Sequence, residues 1–145
     1  MTKLRIEGVS RTFPAAAAGG SPLRALEPTD LDIAENDFIA VLGPSGCGKS
    51  TLLRIVAGLD APSTGRVLLD GRAVTGPGPD RGMVFQSYTL FPWLTVAQNI
   101  AFGLGERRAN EATRNAIVAD YVTKVGLSGF ENHLPRQLSG GMQQR

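Results

Sequence analysis

The sequence predicts an α/β fold, and three observations carry that prediction. Phe38 to Gly43 is a continuous apolar run, the pattern of a strand covered on both faces. A glycine-rich loop and a helix-forming segment follow it without a break, as far as Gly58. Alternating apolar and polar stretches flank this unit, and a long helical pattern fills much of the later chain.

Taken in order, Leu4 to Phe13 alternates through Leu4, Ile6 and Val9 and is expected as an edge-type strand. Pro14 to Pro22, PAAAAGGSP, is rich in small residues and is expected as a flexible loop or short insertion. Leu31 and Ile33 mark a second short strand. Lys49 to Gly58 is helical, with Gly58 as its stop. Ala61 to Gly65 is a turn, and Arg66 to Val74 is a strand, an Asp70-Gly71 turn and a second strand. Thr75 to Gly82 is a loop. Met83 to Gln86 is a short buried strand that closes on a polar side chain. Thr95 and Gln98 have the spacing of a capping box that opens a helix. Asn110 to Val125 is the longest helix, with Val118, Tyr121, Val122 and Val125 on one face. Nothing repeats at a fixed period.

The 145 residues amount to one domain, and 42% hydrophobic content is enough for a core. The net charge of +2 is mild, and no basic run exceeds Arg107-Arg108, so nucleic acid is not an expected partner. The single cysteine, Cys47, excludes an internal disulfide framework and fits a reducing compartment. No apolar stretch approaches the roughly 20 residues that span a bilayer. The N-terminal residues lack a signal-peptide core. These features lead to the expectation of a soluble cytoplasmic domain.

Gly43 to Thr51, GPSGCGKST, fits the phosphate-loop pattern G-x-x-x-x-G-K-[ST] with a strand expected before it and a helix after it. Glycines let successive backbone N–H groups point inward, and the new helix aims its partial positive charge at the same place. In this pattern Lys49 reaches the β- and γ-phosphates and Ser50 ligates Mg²⁺. Gly43, Pro44 and Ser45 shape the loop. Gly46, Cys47, Gly48, Ser50 and Thr51 contribute mainly backbone N–H groups. Cys47 is a small loop residue here and not a nucleophile, since the one histidine, His133, lies far off in sequence.

The phosphate loop is joined by Leu138 to Arg145, LSGGMQQR, and by Val84-Phe85-Gln86. With Phe13 these residues resemble the ATP-binding cassette (ABC) ATPase family over the chain from Leu4 to Arg145. LSGGMQQR is similar to the family's signature motif, Gln86 to its Q-loop glutamine, and Phe13 to its adenine-stacking aromatic. The segments DGRAVTGPGPDRGMVFQ and LFPWLTVAQNIAFGL resemble the ATP-binding subunits of nitrate, sulfonate and taurine importers.

The resemblance implies a P-loop NTPase of the ABC type: residues 1–86 form an antiparallel β subdomain and parallel-sheet core, and residues 87–145 a helical subdomain. It implies ATP and Mg²⁺ as cofactors, with Gln86 touching Mg²⁺ and the attacking water. Ser139, Gly140 and Gly141 would bind the γ-phosphate of ATP held by a second copy of the subunit. Transmembrane permease subunits, and indirectly a substrate-binding protein, are the other implied partners. The implied place is the cytoplasmic face of the inner membrane. Phe13 either stacks on adenine or closes its strand as a core residue, because Pro14 and the alanine-rich stretch depart from the compact family pattern. Phe91, Trp93 and Leu94 either dock the membrane subunit or pack inside the helical part.

The family pattern continues beyond the signature into an apolar strand ending in Asp, then Glu, then His, and none of these has a counterpart here. The resemblance therefore implies a truncated chain, inactive alone, whose sheet lacks the strand beside Phe38 to Leu42. His133 precedes the signature and is expected in a loop. Two other readings stand beside the importer ATPase: an inactive nucleotide-binding remnant and an ABC ATPase outside transport.

Overall fold

The structure, a computed structural model, describes residues 2–15, 20–87, 89–104 and 110–145. Residues 16–19 of the predicted insertion and the Arg107-Arg108 pair lie outside the described residues. The chain divides into two compact units, Met1–Val84 and Phe85–Arg145.

The first unit is built on a four-stranded antiparallel sheet of order β2-β1-β3-β4, with β1 Thr2–Phe13, β2 Leu23–Ala34, β3 Thr64–Leu69 and β4 Arg72–Ala73. β3 and β4 form the predicted hairpin. Asp70 and Gly71 take φ of 49° and 75°, the positive pair that a tight hairpin turn requires. Helix α1, Lys49–Val56, buries Leu52 and Ile55 against Ile6, Val9, Leu26 and Val67 of the sheet. Ile6 and Val9, three residues apart, reach the same core because the register of β1 shifts between them, where Gly8 takes φ 54°. The helix stops where expected. Gly58 has φ 75° and its N–H donates to the Ile55 carbonyl.

The sheet corrects two expectations. β1 is not an edge strand: it pairs with β2 on one side and β3 on the other. Its buried Ile6 and Val9 lie at the centre of the core. β2 occupies the edge and is far longer than the Leu31–Ile33 segment expected. Pro28 concealed it, because proline weakens a strand pattern in sequence yet is tolerated on an edge.

The apolar runs Phe38–Gly43 and Met83–Gln86, expected as buried strands, form no strand. Phe38 is 96% exposed, Leu42 89% and Val84 97%. A strand exists only through its ladder partners, and among the described residues none lies beside either run.

The second unit contains α2 Val96–Leu104, α3 Glu111–Lys124, a 3₁₀ turn Pro135–Gln137 and α4 Gly140–Gln144. Its core joins Val96, Val122, Leu127 and Leu138, with Ile100, Val118, Val125 and Met142 packed around them. The valine stripe predicted on α3 thus faces inward, while Tyr121 at the margin stays half exposed. The capping box opens α2 as read. The Thr95 N–H donates to Gln98 Oε1 at 2.9 Å and the Gln98 N–H to Thr95 Oγ1 at 3.3 Å. Asn110 caps α3 by accepting from the Thr113 N–H at 2.8 Å.

Candidate functional site

Gly43 to Thr51 forms a tight loop that ends in α1. The loop closes on itself through the Cys47 N–H, which donates to the Pro44 carbonyl at 3.5 Å. Gly48 sits at the helix N-cap with φ 94°. A Cβ there would collide with the Ala25 carbonyl oxygen of β2, so only glycine suits both the backbone angle and the space. Among the described residues, the N–H groups of Gly46, Gly48, Lys49, Ser50 and Thr51 have no acceptor. Most of these belong to the first turn of α1, where no intrahelical partner exists. No acidic side chain lies in that turn to oppose the helix charge. Lys49 folds back over the loop, and its Nζ donates to the carbonyls of Gly43 at 2.7 Å and Pro44 at 2.6 Å. Cys47 is exposed, with its Sγ 3.5 Å from Lys49 Nζ, and the Ser50 hydroxyl is exposed alongside. The result is a cradle of unpaired donors and one ammonium, which suits an anion with several oxygens.

Phe13 lies close to this cradle, and β2 shows why. Phe13 pairs with Leu23 and Arg11 with Leu26, while the intervening Ala25 touches Gly48. One short stretch of β2 therefore contacts both the phosphate-type loop and the end of β1. The Phe13 ring is half-buried, and the Arg11 guanidinium lies over it at 4.7 Å. The Arg11 contact was not foreseen, because nothing in a strand pattern marks a cation two residues before a ring.

Gln86 and the glycine pair lie in the second unit. Gln86 is exposed at a bend just past Met83–Phe85. Ser139 is the N-cap of α4 and accepts from the Met142 N–H at 3.3 Å. Among the described residues, the N–H groups of Gly140 and Gly141 have no acceptor. Gln143 ties this turn down by donating to the carbonyls of Pro135 at 2.9 Å and Leu138 at 3.0 Å. Its part in Leu138–Arg145 is thus a structural one that the sequence pattern did not disclose.

His133 lies in a loop, as expected. Its ring packs on Phe130 at 5.0 Å and its carbonyl accepts the Val96 N–H. Nearby, the Gly129 N–H donates to Glu131 and holds that carboxyl below the usual carboxylate range. The apolar segment Leu90–Val96 splits in role. Phe91 turns inward onto Phe102, 4.2 Å between centroids, and lines an apolar cleft with Ile100, Tyr121 and Leu138. Trp93 is 70% exposed. No described helix is long and apolar enough to cross a membrane.

The family profile described as ABC transporter matches residues 26–145. An uncharacterized ABC transporter ATP-binding protein of Methanocaldococcus jannaschii is 52% identical over 143 residues, which is 99% of this chain and 52% of that protein. A nitrate import ATP-binding protein of Synechocystis is 50% identical over 142 residues, 98% of this chain and 52% of its own length. A taurine import ATP-binding protein of Burkholderia thailandensis is 46% identical over 145 residues, 100% of this chain and 55% of its own length. The chain thus spans about half the length of the curated relatives it matches. Among solved structures, a dimeric ATP-binding cassette in a post-hydrolysis state with ADP and Pi superposes with a TM-score of 0.81 at 31% identity. That match covers 97% of this chain and 65% of the cassette.

Proposed function

The chain belongs to the ABC transporter family, and from that premise we propose that it is part of the ATP-binding, energy-coupling subunit of an importer. One observation carries the proposal: the cradle of unpaired N–H groups and the Lys49 ammonium at the start of α1. Triphosphate oxygens are the ligand that such a donor set satisfies. When nucleotide arrives, Lys49 exchanges its two carbonyl acceptors for phosphate oxygens, and the loop N–H groups gain the acceptors they lack. Ser50 and Gln86 would hold the accompanying Mg²⁺, which supplies charge neutralisation for phosphoryl transfer to water. Phe13 would stack on the adenine.

Ser139, Gly140 and Gly141 would take the γ-phosphate of a second subunit's ATP, so that nucleotide joins two copies. The solved relative was described as dimeric with ADP and Pi, which supports this arrangement. Permease subunits, with a substrate-binding protein beyond them, would be the membrane partners, and exposed Trp93 suits an anchor at that contact. With those partners the subunit would lie at the cytoplasmic face of the membrane. The cargo class is a small anion such as nitrate, a sulfonate or taurine, supported by the nitrate and taurine import relatives.

The test is ATP titration by calorimetry on the full chain and its Lys49→Ala variant. Saturable binding by the parent and none by the variant is the expected result. Equal affinity for the two would remove the loop from the site.

A further inference from the structure

The end of β1 is braced in a way that strand pairing alone does not need. The Thr12 N–H donates to Ser63 Oγ at 3.0 Å, and the Ser63 N–H donates to the Ser10 carbonyl at 2.8 Å. Arg11 crosses to the same loop, where its Nη1 donates to the Ala61 carbonyl at 2.7 Å. Its Nε is buried without a hydrogen-bond partner among the described residues. A buried guanidinium donor with no acceptor is unfavourable unless another contact holds the side chain there. That contact is the Phe13 ring, 4.7 Å from the guanidinium carbon. The loop it reaches is in turn fastened to α1, since Arg54 on that helix donates to Asp60 at 2.7 Å. A continuous set of bonds therefore runs from the helix behind the phosphate cradle to the aromatic ring.

We infer that Arg11 is a positioning residue for the base of the nucleotide. Its guanidinium, stacked on one face of Phe13 and anchored on Ala61, holds the ring in one orientation with its other face open to a purine. This rests on the reading of Gly43–Thr51 as a nucleotide cradle and of Phe13 as its stacking ring. A ring at a strand end, followed by small residues, would otherwise sample several rotamers, and ordering it on binding would weaken affinity. The cation fixes the ring beforehand. Among the described residues its hydrogen bond goes to Ala61 and not to the Gly43–Thr51 loop, so its effect should fall on the base.

The experiment compares the affinities of the full chain for MgATP and for magnesium tripolyphosphate, which has the phosphates and no base. Parent, Arg11→Met, Arg11→Lys, Phe13→Ala and the Arg11→Met/Phe13→Ala double variant are titrated by calorimetry. The expected loss for Arg11→Met is about two- to fivefold for MgATP, the range of a cation–π contact, with tripolyphosphate unchanged. Arg11→Lys should restore most of that loss, and the double variant should bind like Phe13→Ala, since Arg11 acts only through the ring. Equal losses for MgATP and tripolyphosphate would mean that Arg11 merely supports the fold, and would overturn the inference. So would an Arg11→Met variant that binds MgATP like the parent while Phe13→Ala does not. If Phe13→Ala itself leaves the two affinities in their parental ratio, the stacking reading fails first and takes the Arg11 role with it.

Discussion

At the scale of single residues, the clearest electrostatic feature lies beside the α1 helix. Arg54 reaches both oxygens of Asp60, at 2.7 and 3.4 Å. The hydrogen bond from Arg54 holds the Asp60 carboxyl below its ordinary range, overcoming a smaller opposing effect of burial, and the Arg11 charge adds to the lowering. A carboxyl lowered in the folded state contributes stability that is complete above its unfolded value of about 4. That contribution disappears as pH falls through the lowered folded value. The Asp60→Asn variant should therefore lose less thermal stability than the parent between about pH 5 and about pH 2. Parallel melting curves for the two proteins across that range would show the pair to be neutral. The tight glycine-rich loop that opens α1 was legible in the sequence because that pattern is local. The Arg54–Asp60 pair and the Arg11 anchor on Ala61 were not, since each depends on where the loop after α1 returns.

At the scale of elements, caps and turns were readable and loop anchors were not. The Thr95–Gln98 box and the Asp70-Gly71 hairpin formed as expected, because each needs only residues within one turn. Asn99 is the contrary case. Its Oδ1 accepts the Phe91 N–H at 2.9 Å. Its Nδ2 lies within 3.2 Å of the Phe91 carbonyl and 3.0 Å of those of Leu94 and Thr95. One side chain thus satisfies the backbone of the loop that leads into α2 and holds Phe91 against Phe102. Asn99→Ala should destabilise the chain by about 1–3 kcal/mol, the penalty for leaving those groups unpaired. Urea titration followed by tryptophan fluorescence reads this directly, because Trp93 sits in the affected loop. An unchanged midpoint would mean that water replaces the amide at no cost. In sequence, Asn99 is one more polar residue on a helix, and only the fold-back of Phe91–Thr95 gives it this work.

At the scale of the whole molecule, the exposed apolar runs dominate. Phe38, Leu42 and Val84 are almost fully open to solvent. Contiguous exposed apolar groups favour association. The 145-residue chain by itself should bind an apolar dye, and its elution from a sizing column should shift towards larger species as its concentration is raised. Phe38→Ser with Leu42→Ser should reduce both effects. A dye-free monomer would show that these side chains find cover in solution. An apolar run in sequence predicts burial only where a partner strand covers it, and neither run has one among the described residues.

What the sequence determined by itself is the chemistry that neighbours in the chain can complete. This covers the glycine-rich loop with its lysine, the helix that follows, the hairpin turn, the helix caps and the apolar face of the long helix. Backbone angles and interactions within one turn settle these features. Tertiary structure alone decided that β1 is interior and β2 the edge, that the run at Met83 has no ladder partner among the described residues, and that Arg11 is anchored on Ala61. Each of these depends on which distant segment becomes a neighbour, a choice made by the free energy of packing the chain as a whole.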